Sequence, residues 1–320
     1  MRSFEAPSLP QNNALGIALI VAAMFVTSVQ DVVFKLFSNS LPLGQIFALR
    51  ALIAIPLLMG LAWVQGAYTG IWRHALSGWA LIRSVFVTLL FLAFYGAIPF
   101  VSLSVLGAGT YTAPIFVALL SALFIFEPIR RRGWAAILVG FAGVLLLLQP
   151  GTNAFSAWTI LPVVGAVFYA AAHVITRLKC QAIPLVALAL SLKLVMLMAG
   201  LSIGAATFIW RPDATLVALN PYLLGGWQPV GTVDWTILGL LAVFTVVIGL
   251  GIAGAYKAGA PSTVATFEYS YLVFAALWDG LFFHSAPGGL SLMGMLLVVV
   301  AGLMAMRKVR DSGTETGSRV

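Results

Sequence analysis

The stretch that decides the fold is Ala14 to Phe34, ALGIALIVAAMFVTSVQDVVF. It holds no Lys or Arg, and its one acid is Asp31. A helix rising 1.5 Å per residue crosses about 30 Å of hydrocarbon in about 20 residues, so this run is the right length to span a bilayer. No small-residue cleavage site follows a short apolar core, so the run reads as a retained helix and not a removable signal peptide. Before it lies a polar stretch, Met1 to Asn13, with Arg2 and Glu5.

The rest of the chain repeats the pattern. Apolar segments recur at 45–64, 77–97, 101–126, 133–149, 157–176, 183–209, 234–256, 262–283 and 290–306, which with 14–34 makes ten expected spans. The connections are short, except for Trp210 to Val233, which carries Arg211, Pro212, Asp213, Pro221 and Pro229 and reads as one sizeable extramembrane loop. Of the 320 residues 62% are apolar and 8% charged, with a mean hydropathy of +1.06. A soluble domain carries about 25% charged residues, so this composition has too little polar surface to face water.

Charge placement sets orientation. With both termini cytoplasmic, the inside receives Arg2, Arg73, Arg130, Arg131, Arg132, Arg177, Lys179, Lys257, Arg307, Lys308, Arg310 and Arg319, while the outside receives Lys35 and Arg211. Arg50, Arg83 and Lys193 remain within the membrane. The asymmetry is the positive-inside pattern and predicts a multi-pass protein of a bacterial-type inner membrane with both tails cytoplasmic. The net charge of +8 is accounted for by these loop signals, so nucleic acid is not expected as a partner. Cys180 is the only cysteine, which excludes an internal disulfide and a cysteine-rich metal or redox site.

The two halves resemble each other. Phe141-Ala142-Gly143-Val144 is echoed by Val300-Ala301-Gly302-Leu303, and Leu49-Arg50 by Leu192-Lys193 at a similar depth in its own helix. An odd number of helices per half would invert one half relative to the other, an architecture that places a substrate site near the midplane. The expected division is an N-terminal tail (1–13), a first repeat (14–151), a second repeat (152–306) and a C-terminal tail (307–320).

Several pieces together resemble a known family. They are Asp31, Lys35, Gln45 and Arg50, then Arg83, then Tyr111 to Pro114 with Glu127, Arg132, Gly140, Gly143 and the closing Gln149-Pro150-Gly151, and finally Phe267, Glu268, Tyr269, Leu272, Ala275, Ala276 and Leu277. In order and spacing they resemble the EamA family of the drug/metabolite transporter superfamily. The resemblance implies ten helices in two inverted repeats, a central cavity and alternating access for export or exchange of small metabolites. The sequence departs from the family at Phe126-Glu127, at Phe283-His284, at Asp279 and in the long loop after Trp210.

Ionisable groups within hydrocarbon are costly, so each is a candidate for function. Glu268 and Asp279 are eleven residues apart, about three turns, and with Tyr271 and Ala275 they are expected on one cavity-facing stripe. Lys193 lies near mid-helix. Arg83 and Glu268 lie at similar depth and could pair, which leaves a packing role open for Arg83, Glu127 and Glu268. Arg50 is expected to snorkel to the outer interface, and Asp279 to meet water near the outer end. A second stripe, Ser104, Gly107, Tyr111, Pro114, Ala118 and Ser121, lines either a cavity or a helix contact, with Pro114 as a break in the backbone ladder. Pro162, Gly165, Tyr169 and His173 repeat the theme, with His173 as a bystander.

The substrate or coupling candidates are therefore Glu268, Tyr271, Lys193, Arg83, Tyr111, Pro114, Tyr169 and Asp279. Gly249, Gly251 and Gly254 match a dinucleotide fingerprint, but they sit in an apolar helix with no strand before them and are read as helix-packing glycines. No catalytic residue, cofactor or metal site is expected, since the chain has no HExxH, nucleophile elbow or Walker loop. A small-molecule substrate with proton or ion coupling, lipid contact, and a monomer or homodimer are the expected partners. A same-fold lipid flippase is the nearest alternative; a channel or membrane-embedded enzyme is less favoured.

Overall fold

The computed structural model describes residues 12–66, 68–124, 131–149, 156–258, 264, 267–285 and 287–306. Glu127 and the two expected tails, apart from Asn12 and Asn13, lie outside the described residues. Among those residues the structure is all-helical. The elements are α1 (Asn13–Phe37), α2 (Leu43–Val64), α3 (Ile71–Ala75), α4 (Gly78–Ala97), α5 (Leu103–Thr110), α6 (Ala113–Phe124), α7 (Arg131–Leu148), α8 (Ile160–Lys179), α9 (Leu185–Trp210), α10 (Ala214–Leu219), α11 (Pro221–Leu224), α12 (Thr232–Ala258), α13 (Ser270–Phe282) and α14 (Gly289–Met306).

By length and composition seven helical stretches are fit to cross a membrane: α1, α2, α4, Leu103–Phe124, Ala157–Thr176, α9 and Thr232–Ile252. Shorter apolar helices at Gly133–Leu148, Ser270–Phe283 and Gly289–Ala301 occupy the three other positions where the sequence predicts spans. The outer surface carries large apolar side chains, among them Trp63 (74% exposed), Phe208 (73%) and Leu138 (68%), a face suited to lipid and not to water.

Local chemistry sets the helix ends. The Asn12 side chain accepts from the Leu15 amide at 3.0 Å and caps α1. Pro42 and Pro184 stand immediately before α2 and α9, where the missing amide proton costs nothing. Gln149, Arg211 and His284 follow α7, α9 and α13 with φ of 47°, 48° and 48°, the left-handed geometry of a helix C-terminus without the usual glycine.

The most extensive helix pairs are α7 with α14, α2 with α9, α4 with α8, and α1 with α12. Each joins a helix from before residue 151 to one from after it, so the core forms between the two halves. In lipid no hydrophobic force drives helices together, and close packing of small residues takes its place. A Cβ on Gly143 would lie 2.9 Å from the Gly294 carbonyl oxygen, and one on Gly294 2.8 Å from that of Gly143, so α7 and α14 meet backbone to backbone. Gly44 and Gly200 do the same for α2 and α9. The glycines of the false dinucleotide fingerprint divide. Gly251 and Gly254 lie against Ala23 and Leu19 of α1, whereas a Cβ on Gly249 would meet nothing, so the packing expectation fails at that one position.

The long loop folds down onto the bundle. It contains α10 and α11, and Tyr222 donates to the Tyr95 carbonyl at 2.9 Å. Gln45 and Gln228 exchange two hydrogen bonds, with the Gln45 amide donating to the Gln228 carbonyl at 2.7 Å and the Gln228 N–H donating to Gln45 Oε1 at 2.9 Å.

Candidate substrate site

Two polar residues in the middle of apolar α1 organise the centre of the bundle. Asp31 is 3% exposed, and both its carboxylate oxygens are engaged: Tyr95 Oη donates to Oδ1 at 3.1 Å and Tyr271 Oη to Oδ2 at 2.8 Å. Gln30 donates to Tyr95 Oη at 3.1 Å and accepts from Arg50 Nη2 at 2.6 Å. Arg50 also donates to Thr245 Oγ1, and its guanidinium carbon lies 5.9 Å from the ring centroids of both Phe34 and Tyr95. One connected network thus ties α1, α2, α4, α12 and α13. In a low-dielectric interior such a network fixes the alignment of helices that apolar packing alone would leave free to slide.

Arg50 does not snorkel, contrary to the sequence expectation. It is 4% exposed, because the nearby Gln30 and Thr245 acceptors and two aromatic rings outcompete the distant interface.

Beside this network the spanning run of residues 101–126 is interrupted. The helix stops at Thr110, turns at Tyr111 and Thr112, and resumes at Ala113, so Pro114 falls in the first turn of α6, where its lack of an N–H is harmless. The chain also turns at Tyr269, just before α13. The two interruptions face each other: the Tyr111 ring centroid is 5.3 Å from that of Tyr269 and 5.7 Å from that of Tyr271. Tyr111 Oη donates to the Met24 sulfur at 3.3 Å.

Of the expected stripe, Tyr271, Ala275 and Asp279 share the buried face of α13. Glu268 precedes the single-residue turn at Tyr269, whose backbone keeps near-helical dihedrals of φ −63° and ψ −12°. Glu268 belongs to a second cluster nearer the end of the bundle at which α1 begins. There it lies within electrostatic range of Tyr111, Tyr169 and Tyr269, and Tyr169 is in turn within range of Arg83. His173 packs edge-on against the Tyr169 ring at 4.3 Å and also feels Arg83. Tyr169 is 36% exposed.

At the opposite end, where α1 finishes, polar side chains tie the helices together. Asp279 is wholly buried and does not meet water as expected. Its two oxygens accept from the Leu103 and Ser104 backbone amides at 2.8 and 2.7 Å and so cap the N-terminus of α5. The orphan amides of a helix start are strong partners for a carboxylate. Lys35 donates to the Val101 carbonyl at 2.6 Å and lies over the Phe283 ring at 4.6 Å. Trp278 donates to Ser28 Oγ at 2.9 Å.

Lys193 is placed apart from the carboxylates. It is 4% exposed, its ammonium lies 3.9 Å from the Met196 sulfur, and the charge it senses is that of Arg50. The sequence reading singled out Tyr111, Tyr271 and Lys193 but omitted Gln30, Tyr95 and Thr245 from the site, and gave Asp31 and Arg50 no role in it. The visible signal was Gln30-Asp31 within an otherwise apolar run.

An all-α, multi-pass membrane protein with polar clusters buried between its halves is the framework of a small-molecule transporter. Comparison with known proteins places this chain in that class. Residues 14–149 match the EamA-like transporter family. It is 28% identical to the pseudopaline exporter CntI of Pseudomonas aeruginosa strain UCBPP-PA14 over 296 residues, covering 91% of this chain and 96% of that protein. It is 27% identical to a riboflavin transporter of Rhizobium johnstonii over 267 residues, covering 80% of this chain and 77% of that protein. A chain of known crystal structure shares the fold, with a TM-score of 0.55 at 17% identity over 97% of this chain and 100% of the other. The family match and these relatives mark the chain as a transporter and not an enzyme.

Proposed function

We propose that the protein is a secondary transporter of small metabolites in a bacterial inner membrane, and that it works by alternating access between two inverted five-helix repeats. The transporter-named relatives, an exporter among them, support the metabolite reading. Helix pairing supports the repeats: taking the ten apolar segments in order, α2–α9 and α7–α14 are second with seventh and fifth with tenth, while α4–α8 and α1–α12 are third with sixth and first with eighth. This pattern maps onto itself when the halves are exchanged.

The observation that carries the mechanism is the pair of interrupted helices, whose tyrosines 111 and 269 face each other between two unequal ends. Discontinuous helices at the midplane are where inverted-repeat transporters bind substrate. In this reading the end tied together by Asp279, Lys35 and the Tyr222 and Gln228 contacts is the closed one, and the partly exposed Tyr169 lies toward the other. With both termini cytoplasmic, this is an inward-facing state. Tyr111, Tyr169, Tyr271 and Pro114 line the path, and Glu268 and Arg83 serve coupling.

The test uses a Cys180→Ser background with single cysteines at Ser104 or His173 and a membrane-impermeant maleimide. His173→Cys should react from the cytoplasmic side while Ser104→Cys stays unreactive from outside. Adding Asp279→Ala should reverse the ranking. With the Asp279, Tyr222 and Gln45 contacts all intact, complete reaction at both positions from opposite sides would mean a continuous pore and overturn the proposal.

A further inference from the structure

Two basic side chains lie buried in the centre of the bundle, and among the described residues the acids near them do not neutralise both. Arg50 and Lys193 are each 4% exposed. They occupy equivalent places in the two halves, as Leu49-Arg50 and Leu192-Lys193, on the paired helices α2 and α9. Gly200 packs against the Gly44 carbonyl and the Ala48 amide. From that antiparallel register, at 1.5 Å per residue, Lys193 and Arg50 differ in level by only about one turn.

The acids around them are already engaged. Asp31 has one tyrosine hydroxyl on each oxygen, and Asp279 is held by two backbone amides at the end where α1 finishes. Glu268 lies among Tyr111, Tyr169 and Tyr269. Arg50 keeps a donor to spare, since its Nε is buried without a hydrogen-bond partner among the described residues. Lys193 has three donors and, among the described residues, only a thioether 3.9 Å away. On α4 the buried Thr88 hydroxyl also lacks a hydrogen-bond partner among the described residues, one turn beyond Ser84, whose hydroxyl meets Ser191 at 3.1 Å. That contact sets Thr88 within about one turn of the Lys193 level. Like charges held together in a low-dielectric interior repel strongly, and an anion between them converts that repulsion into binding. A guanidinium fork beside an ammonium point charge is a recognised carboxylate-binding set.

We propose that the transported solute is an anion bearing a carboxylate, and that Arg50 and Lys193 bind that carboxylate between the two halves, with the Thr88 hydroxyl as a third donor. This rests on the transporter reading above. Binding is strongest while α2 and α9 hold the two basic groups within about one turn of each other, so any rearrangement that separates them releases the anion.

The experiment reconstitutes the protein in liposomes loaded with a bacterial small-molecule extract supplemented with glutarate, glutamate, glutamine and 1,5-diaminopentane. Loss of each compound is read by mass spectrometry against empty liposomes. Compounds that leave faster than in the control should be carboxylates. Lys193→Met, which keeps the shape of the side chain, should cut their flux at least tenfold, and Lys193→Arg should retain most of it. Arg50→Gln disturbs the Gln30 and Thr245 bonds as well, so Arg50→Lys accompanies it and should fall between Arg50→Gln and the unmodified protein. Flux of neutral or cationic compounds only, or carboxylate flux unchanged in Lys193→Met, overturns the anion assignment and leaves the transporter reading standing. No flux of any compound overturns the transporter reading and this inference with it.

Discussion

Asp279 shows how one side chain changes meaning once its neighbours are known. In the sequence it is an acid near the end of an apolar run. In the structure it is the cap of a helix 175 and 176 residues away in the chain. Hydrogen bonds to charged groups contribute about 1.5–3 kcal/mol each, and a helix cap about 0.5–2 kcal/mol. Asp279→Ala should therefore destabilise the protein by about 2–3 kcal/mol, and Asp279→Asn by less because it keeps one acceptor. Thermal melting in detergent measures both. Asp31 yields a second prediction at this scale. Tyr271→Phe leaves one carboxylate oxygen without its donor, and a double-mutant cycle of Asp31→Asn with Tyr271→Phe should show a coupling of about 1–3 kcal/mol. Purely additive losses would mean that the 2.8 Å contact is not an energetic link.

Between elements, glycine matters only where backbones meet. Gly143→Ala would drive a methyl group to 2.9 Å from the Gly294 carbonyl and should cost about 1–3 kcal/mol, by analogy with overpacked cores. Gly249→Ala, in a helix and with nothing within 4 Å, should be neutral or stabilising by up to about 1 kcal/mol. Melting temperatures of the two variants check the contrast, and equal effects would refute the backbone-contact reading of α7 and α14. The interruptions at Tyr111 and Tyr269 were partly legible in the sequence. Pro114 marks the first, because a proline cannot sit deep in an unbroken helix without losing a hydrogen bond. Nothing comparable marks the second, a single residue whose backbone stays near helical dihedrals.

Over the whole molecule, the loop after Trp210 bridges helices at the end where α1 finishes. It reaches α2 through Gln45 and Gln228 and the last turn of α4 through Tyr222. Under alternating access these bonds must break each time the far end opens. Tyr222→Phe combined with Gln45→Leu should raise maleimide reactivity of Ser104→Cys from outside severalfold while leaving His173→Cys reactive from the cytoplasm in the remaining inward-facing fraction. Unchanged reactivity at Ser104→Cys would show that these bonds do not hold the gate. Coupling is also a property of the whole assembly. If Glu268 carries the coupling proton, Glu268→Gln should abolish pH-driven accumulation yet preserve substrate exchange in liposomes. Normal pH dependence in that variant would remove Glu268 from the coupling path.

Composition and apolar run length determined by themselves that the chain is an all-α membrane protein, because about 30 Å of hydrocarbon imposes a length on every helix that crosses it. They also located the segments now seen as α1, α2, α4, α9 and α12 to within a few residues. Only the tertiary structure decided which buried charges are satisfied and which are spare. Asp31 meets Tyr271 across 240 residues of chain, and Arg50 meets Thr245 across 195. Inside a bilayer a charge must be met by whatever donor or acceptor packing brings near it, and in a helical bundle those partners come from segments remote in the chain.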